Sequence, residues 1–374
     1  MKRSIVSIAV LMTAAGLAQA QQSVTVYGTV DSGLFHQNSS AANLSGKAPD
    51  LGSITRLKDG GIYTSLWGMR GTEDLGGGYA ANFRLQGVFD SSTGKTGLTD
   101  TTGVTGVFNQ FTTVGFSGPF GTFNAGRQIV PMIYAMAATD VRNAQYFGSV
   151  LTAWIGMNSA AGWAGANTNA PIGALYDSNA LVYQSPAFYG FDVALEYALG
   201  SGNGTGNAGT RESAVLKYTN GGLKLASVYY NGRDTNPAAT TVPSGVKNNR
   251  FVYFGGLYDF SNFQVSASAG NGKNPDNPSQ ANLDLYTLGL GYKFSPLLKL
   301  SSGIYKLKDK NNDANRSIEY SVGAEYSLSK RTMLYAQIAY VNNEGTMNQM
   351  IEYGAPTAPG QPTTGTMIGV RHTF

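Results

Sequence analysis

A period of two in hydrophobicity, kept up along most of the chain, constrains its fold more than any other feature. Across residues 318–328, Ile318, Tyr320, Val322, Ala324, Tyr326 and Leu328 alternate with Glu319, Ser321, Gly323, Glu325 and Ser327. Tyr286, Leu288, Leu290, Tyr292 and Phe294 alternate in the same way with Thr287, Gly289, Gly291 and Lys293. Residues 79–89, 191–199 and 263–269 repeat the pattern. Successive side chains of a strand point to opposite sides, so each stretch is a strand with one apolar and one polar face.

A soluble β-sandwich shares that alternation, and two observations argue against it. The polar face carries Gly, Ser, Asp, Glu and Arg, as a wet interior would, and the apolar face repeatedly ends in Tyr or Phe. Tyr27, Tyr63, Tyr79, Phe116, Tyr197, Tyr218, Tyr292, Tyr326, Tyr340 and Phe374 occupy such positions, matching the aromatic girdles of a transmembrane barrel. The connections also alternate in length. Gly76-Gly77-Gly78, Pro119-Phe120-Gly121, Tyr189-Gly190, Asn220-Gly221-Gly222, Ser261-Asn262, Ser295-Pro296 and Ser329-Lys330 are short. Between them lie long polar segments at 37–60, 91–106, 201–209, 232–249, 273–282, 309–314 and 342–363. Short periplasmic turns and long external loops give that asymmetry. Sixteen strands are predicted, starting near Ser23, Gly61, Tyr79, Val107, Gly121, Asp177, Phe191, Thr210, Gly222, Arg250, Asn262, Leu283, Leu297, Asn315, Arg331 and Thr364. An even number lets the last strand close on the first, and sixteen leave an aqueous channel. The expected fold class is therefore all-β: a transmembrane 16-stranded antiparallel β-barrel with an inward-folded third loop.

The third long connection, between Ile129 and Asp177, is the exception in length. A segment that long usually has a function. Residues 131–147 favour a short helix, and the segment is expected to fold inward and narrow the channel.

The rest of the composition fits. Lys2-Arg3, an apolar run from Ile5 to Leu17 and Ala18-Gln19-Ala20 read as a signal peptide over 1–20, leaving 21–374 as the barrel domain. Without Lys2 and Arg3, 24 Lys+Arg face 22 Asp+Glu, a net charge of +2, and no basic block suggests nucleic acid. The chain has no cysteine, so an exported protein of this size needs another extensive bonding system, which a closed ladder supplies.

Several segments resemble the general porins of β-proteobacteria. The opening strand, Ser23-Val24-Thr25-Val26-Tyr27-Gly28 followed by Asp31, is similar to theirs. So is the run Trp67-Gly68-Met69-Arg70-Gly71-Thr72-Glu73-Asp74-Leu75-Gly76-Gly77-Gly78, the most specific of the matches. Gly121-Thr122-Phe123, Gly126-Arg127-Gln128, Tyr183 with Ser185-Pro186 and Phe188, Ser329-Lys330-Arg331-Thr332 with Tyr335, and Gly369-Val370-Arg371-His372-Thr373-Phe374 follow in order. The resemblance implies a homotrimer of sixteen-stranded barrels in the outer membrane, each pore constricted by its third loop. It also implies contact with outer-membrane lipid and lipopolysaccharide, and capture of the C-terminal Phe374 by the barrel-assembly machinery. Members of that family often carry arginine at positions that align here with Leu66, with Gln110 or Phe111, and with Tyr176. Their anion selectivity is therefore not carried over.

Strand parity points Arg70 and Arg84 into the lumen, and Arg127 is expected to join them. Asp140 and Arg142 lie on the third loop, where opposed charges would set a transverse field across the neck. Arg70, Arg84, Arg127, Asp140, Arg142, Leu66 and Tyr176 are thus the expected constriction residues. Catalysis has little support: the two histidines, His36 and His372, have no triad context. Gly94-Lys95-Thr96 lacks the first glycine of a P-loop because Phe89 stands there. No cofactor or metal is expected, and no His/Cys/carboxylate spacing suggests zinc. The expected function is passive diffusion of ions and small hydrophilic solutes through a water-filled outer-membrane channel. The alternative is a substrate-selective porin in which Trp154, Trp163 and Tyr176 stack on solutes.

Overall fold

The computed structural model describes residues 23–97, 105–163, 165, 170–200, 209–233, 248–274 and 282–374. The expected signal peptide lies outside them. Among the described residues, seventeen strand segments form one sheet that closes on itself. They begin with β1 (Ser23–Gln37), β2 (Ile54–Asp59), β3 (Ser65–Gly76), β4 (Tyr79–Phe89), β5 (Phe111–Gly118) and β6 (Gly121–Ile129). Two helices follow, α1 (Pro131–Ala138) and α2 (Val150–Ala160). The wall resumes with β7 (Tyr176–Gln184), β8 (Phe191–Ala198), β9 (Arg211–Asn220), β10 (Leu223–Arg233), β11 (Asn248–Phe260) and β12 (Phe263–Lys273). It ends with β13 (Asn282–Lys293), β14 (Leu298–Asp309), β15 (Arg316–Ser327), β16 (Thr332–Glu344) and β17 (Pro362–Thr373).

Both β2 and β3 pair with β1, on its later and earlier halves respectively. They are two halves of one wall strand, so the barrel has sixteen strands. The expected start of that strand near Gly61 is corrected to Ile54, inside the span read as a long loop. The interruption has a local cause. Asp31, buried on β1, accepts hydrogen bonds from the backbone N–H groups of Gly61, Ile62 and Tyr63 at 3.2, 3.1 and 3.2 Å. Those amides turn to the carboxylate instead of the ladder.

Every neighbouring pair is antiparallel, and β17 closes on β1 with Thr29 opposite Thr373 and Gln37 opposite Gly365. Beyond the last paired residue, Gly28 and Phe374 exchange backbone hydrogen bonds at 3.1 and 3.0 Å. The alternation resolves into two faces as expected. Tyr286, Leu288 and Leu290 are exposed on the outside of β13, while Leu283 and Leu285 are buried on the inside.

Inside the barrel lies a core that porous geometry alone does not require. Met132, Met136, Trp154, Met157 and Ile172 pack with the inward-facing Tyr230, Phe251, Leu285, Tyr305 and Leu307. The third loop is thus lodged against the inner wall, with α1 on β8–β10 and α2 on β13 and β14. The last long connection, 345–361, enters as well. Met347, Met350 and Ile351 are buried, and Phe147 and Glu352 form a small antiparallel bridge between the two loops. Its reading as a purely external loop is corrected accordingly.

Candidate functional site

The inner wall opposite α1 is built by β1 and β3–β7. Arg70 and Arg84 stand directly across from each other on β3 and β4. Like charges in that position repel, so each leans on neutral groups. The Arg70 guanidinium lies 5.2 Å from the centre of the Tyr27 ring. That of Arg84 lies 3.7 Å from the centre of Phe111 and donates from Nε to the Tyr27 hydroxyl at 2.9 Å. Its Nη2 donates to Gln86 Oε1 at 2.6 Å, and Tyr27 donates to the same oxygen at 2.7 Å. Gln86 donates to Gln110, and Gln110 donates to the Tyr176 hydroxyl at 2.9 Å. Arg127 sits where β6 slips register against β7. It donates to the Asn109 carbonyl at 2.5 Å and to Ser178 Oγ at 2.8 Å, with its guanidinium 5.4 Å from the Tyr176 ring centre. A polar rail therefore runs from Arg84 through two glutamines to Tyr176 and Arg127. Leu66, half-buried, stands between Thr29 and Val88 in the register.

The facing side is α1. Pro131 at its first turn suits a helix start, where no N–H is needed. Met132, Ala135 and Met136 are buried toward the wall, while Tyr134 is half exposed. Its phenol lies within electrostatic range of Arg84, Tyr176 and Tyr27. Tyr134 is the residue that sequence reasoning missed. Helical spacing sets it apart from the buried Met132 and Met136, but only the inward path of the loop gives that spacing a meaning.

Asp140 and Arg142 differ from expectation: neither lines water. Arg142 is fully buried. It donates to the carbonyls of Gly148 (2.5 Å) and Phe147 (2.9 Å), to Ser301 Oγ (3.1 Å) and to Gln337 Oε1 (2.6 Å). Asp140 accepts from the backbone N–H of Ala144 at 3.1 Å and Val150 at 3.3 Å, and from the Tyr305 hydroxyl at 3.0 Å. Burial pushes its carboxyl up, against the pull of those donors and of Arg142. With Thr139 on Tyr253 and the Val141 N–H on Ser266, the turn after α1 is bolted to the wall from β11 to β16. The physical reason is desolvation: a charge enclosed by protein needs several donors or acceptors, and these have them.

Trp154, Trp163 and Tyr176 are also buried, at 0%, 4% and 5% exposure, and only small parts of Trp163 and Tyr176 reach the vestibule. On the extracellular side an open vestibule of ≈ 800 Å³ is lined by Arg56, Lys58, Asp90, Tyr146 and Tyr353 among others. Among the described residues no cluster of three His, Cys, Asp or Glu side chains could hold a metal. His36 and His372 bond to Thr55 and Thr332 at 2.8 and 2.9 Å, far from the lumen network.

Comparison with known proteins agrees with this architecture. Outer membrane porin protein 32 of Delftia acidovorans is 28% identical over the full length of both chains. An outer membrane porin protein of Bordetella pertussis is 27% identical, again over the full length of both. The anion-selective porin from Comamonas acidovorans superposes with a TM-score of 0.77 at 25% identity, covering 94% of this chain and all of that one. The trimer form of OmpT from Vibrio cholerae superposes with a TM-score of 0.66 at 16% identity, covering 94% of this chain and 99% of that one, a likeness of fold. The family profile described as Gram-negative porin matches residues 7–346, and the chain belongs to that family: an outer-membrane channel for passive diffusion of solutes, not an enzyme.

Proposed function

We propose that solutes pass the barrel between Tyr134 on α1 and the wall of Arg70, Arg84 and Arg127, and that small anions pass more readily than small cations. One observation carries this reading. The two arginines that face each other on β3 and β4 are supported by Tyr27, Gln86 and Phe111, all uncharged. The loop opposite presents the uncharged phenol of Tyr134, while Asp140 is shut away from water. A positive wall that, among the described residues, faces a phenol while Asp140 is buried raises the local anion concentration. Leu66, four residues before Arg70 on β3, and Tyr176, holding Gln110, shape the pass without lending it charge. The anion-selective porin from Comamonas acidovorans, which superposes on this chain, is consistent with the same preference.

The test is the reversal potential across planar bilayers in asymmetric KCl. Arg70→Gln with Arg84→Gln is expected to shift it toward potassium selectivity at nearly unchanged conductance. An unmoved reversal potential would sink the proposal.

The barrel forms a homotrimer, as the OmpT trimer form suggests. It sits among outer-membrane lipid and lipopolysaccharide, and the exposed Phe374, which ends the closing strand, is the handle for the barrel-assembly machinery. Three equal closure steps per insertion event would support the trimer.

A further inference from the structure

The extracellular vestibule lies on the wall above the arginines, and most of its charge is already committed. Arg56 and Lys58 on β2 share one parity, and Arg56 stands opposite the buried, inward-facing Phe35 of β1. The Lys58 ammonium donates to Glu352 Oε1 at 3.0 Å and to the carbonyls of Asp59 and Tyr353 at 3.1 and 2.7 Å, which uses all its donors. Asp59 accepts from Thr64 Oγ1 at 2.9 Å and from the backbone N–H groups of Ser65 and Ser91 at 3.1 and 3.2 Å.

Two opposite charges on the same cavity stay uncommitted. Arg56 is exposed and, among the described residues, has neither an ion-pair nor a hydrogen-bond partner. Asp90, just past β4, continues the inward parity of Arg84, Gln86 and Val88. Its Oδ1 accepts from the N–H and the hydroxyl of Ser92 at 2.7 and 2.6 Å, and among the described residues no cation pairs with it. Asp90 lies within electrostatic range of Lys58, and Arg56 is two residues from Lys58, about 7 Å along β2. The two free charges thus look into one cavity without closing on each other. Leu44, Val88 and the half-buried Tyr353 add apolar lining. The Tyr353 ring packs edge-on against Tyr146 at 4.9 Å, and its N–H donates to the Tyr146 carbonyl at 2.8 Å. A cavity of ≈ 800 Å³ is of the size that holds small molecules. A simple anion would meet Asp90 as well as Arg56, a simple cation the reverse, and neither would use the apolar lining. A zwitterion with an apolar arm satisfies all three.

We infer that the vestibule captures free α-amino acids with a large apolar side chain. The carboxylate meets Arg56, the ammonium meets Asp90, and the side chain lies over Leu44, Val88 and Tyr353. Arg84 stands four residues from Val88, about 13 Å further into the barrel on β4, so a solute released from the vestibule next meets the arginine wall. Capture rests on the route past Tyr134 and the arginines proposed above, and names the solutes held at its entrance.

Calorimetric titration of the full-length barrel in detergent, with L-phenylalanine, 3-phenylpropionate, 2-phenylethylamine and glycine as probes, tests it. Phenylalanine should bind saturably and about tenfold more tightly than each of the others, which lack the ammonium, the carboxylate and the side chain in turn. Arg56→Gln and Asp90→Asn should each remove that advantage. Asp90→Asn keeps an oxygen for Ser92, so the turn itself is preserved. Equal binding of phenylalanine and 3-phenylpropionate would reduce the site to one for anions and overturn the proposal. So would the absence of saturable binding, or binding that neither substitution weakens. Single-channel current is recorded in parallel. Phenylalanine bound by a barrel that conducts no KCl would sink the proposed route and leave capture standing, whereas anion-preferring current without binding would sink capture alone.

Discussion

The Glu352 carboxylate is fully buried, with Oε1 3.0 Å from the Lys58 ammonium and Oε2 without a hydrogen-bond partner. Burial is the largest influence on it and lifts its pKa from an ordinary 4.5 to about 8, against the pull of Lys58. Between those values the folded loop holds a proton that the unfolded chain has released. Its contribution to docking of the last long connection is therefore complete below pH 4.5 and lost as pH rises through 8. Amide exchange at Tyr353 and Gly148, which bond across the two loops at 2.8 Å, should quicken above pH 8 beyond the intrinsic rate. Glu352→Gln should flatten that profile. Arg142 makes a contrasting prediction. Arg142→Met removes the donor to Gln337, Ser301 and the Phe147 carbonyl, while the Gly148 carbonyl keeps only Ser321 Oγ, at a cost of about 2–4 kcal/mol. The expected result is a noisier current with an unmoved reversal potential, whereas the Arg70 and Arg84 substitutions should move the potential and leave the noise alone. Strand parity made Arg70 and Arg84 legible from the chain. Asp140 and Arg142 were misread because a loop has no parity to say which of its charges meet water.

At the scale of elements, the third loop explains why its helices were only partly visible. Residues of α1 fall within the stretch expected to be helical, but α2 was not expected. From Val150 to Ser159 every residue of α2 is buried, because α2 has protein around it rather than water on one side. Such a helix loses the amphipathic stripe by which helices are recognised. Its remaining signal is the start. Ser149 accepts from the Leu151 N–H at 3.0 Å, and its own N–H donates to Thr152 Oγ1 at 2.9 Å. Ser149→Ala should cost about 1 kcal/mol of local stability, read as faster amide exchange within α2. Deleting residues 135–170 should raise single-channel conductance, since both α2 and the bolted turn leave the lumen. Unchanged conductance would mean that the loop does not limit the flow.

For the whole molecule, closure is the decisive event, and Asp31 stands at its seam. Besides the three amides of the strand break, it accepts from the Tyr335 hydroxyl at 2.7 Å and pairs with Arg371 at 3.2 Å. One carboxylate thus joins β1 to the split strand, to β16 and to β17. The Tyr335 ring needs the glycines beside it, because a Cβ on Gly61 or Gly369 would overlap its ring. Asp31→Ala leaves an arginine, a phenol and three amides without their acceptor, and should cost about 3–5 kcal/mol. The check is the temperature at which the folded barrel loses its fast migration in detergent gels, which should fall clearly below that of the parent.

The period of two, the aromatic belts and the alternately short and long connections together made the barrel, its inward and outward faces, its two ends and the even closure legible in the chain. A period of two is a local property that a sandwich shares, and the regular exchange of short and long connections turns it into an up-and-down wall. The folded chain alone reveals that two long connections return into the lumen, that Tyr134 lies within reach of Arg84, and that Arg142 bonds to Gln337, 195 residues away. Such partners lie too far along the chain for any local pattern to announce them, and in a water-filled barrel they decide which charges remain wet.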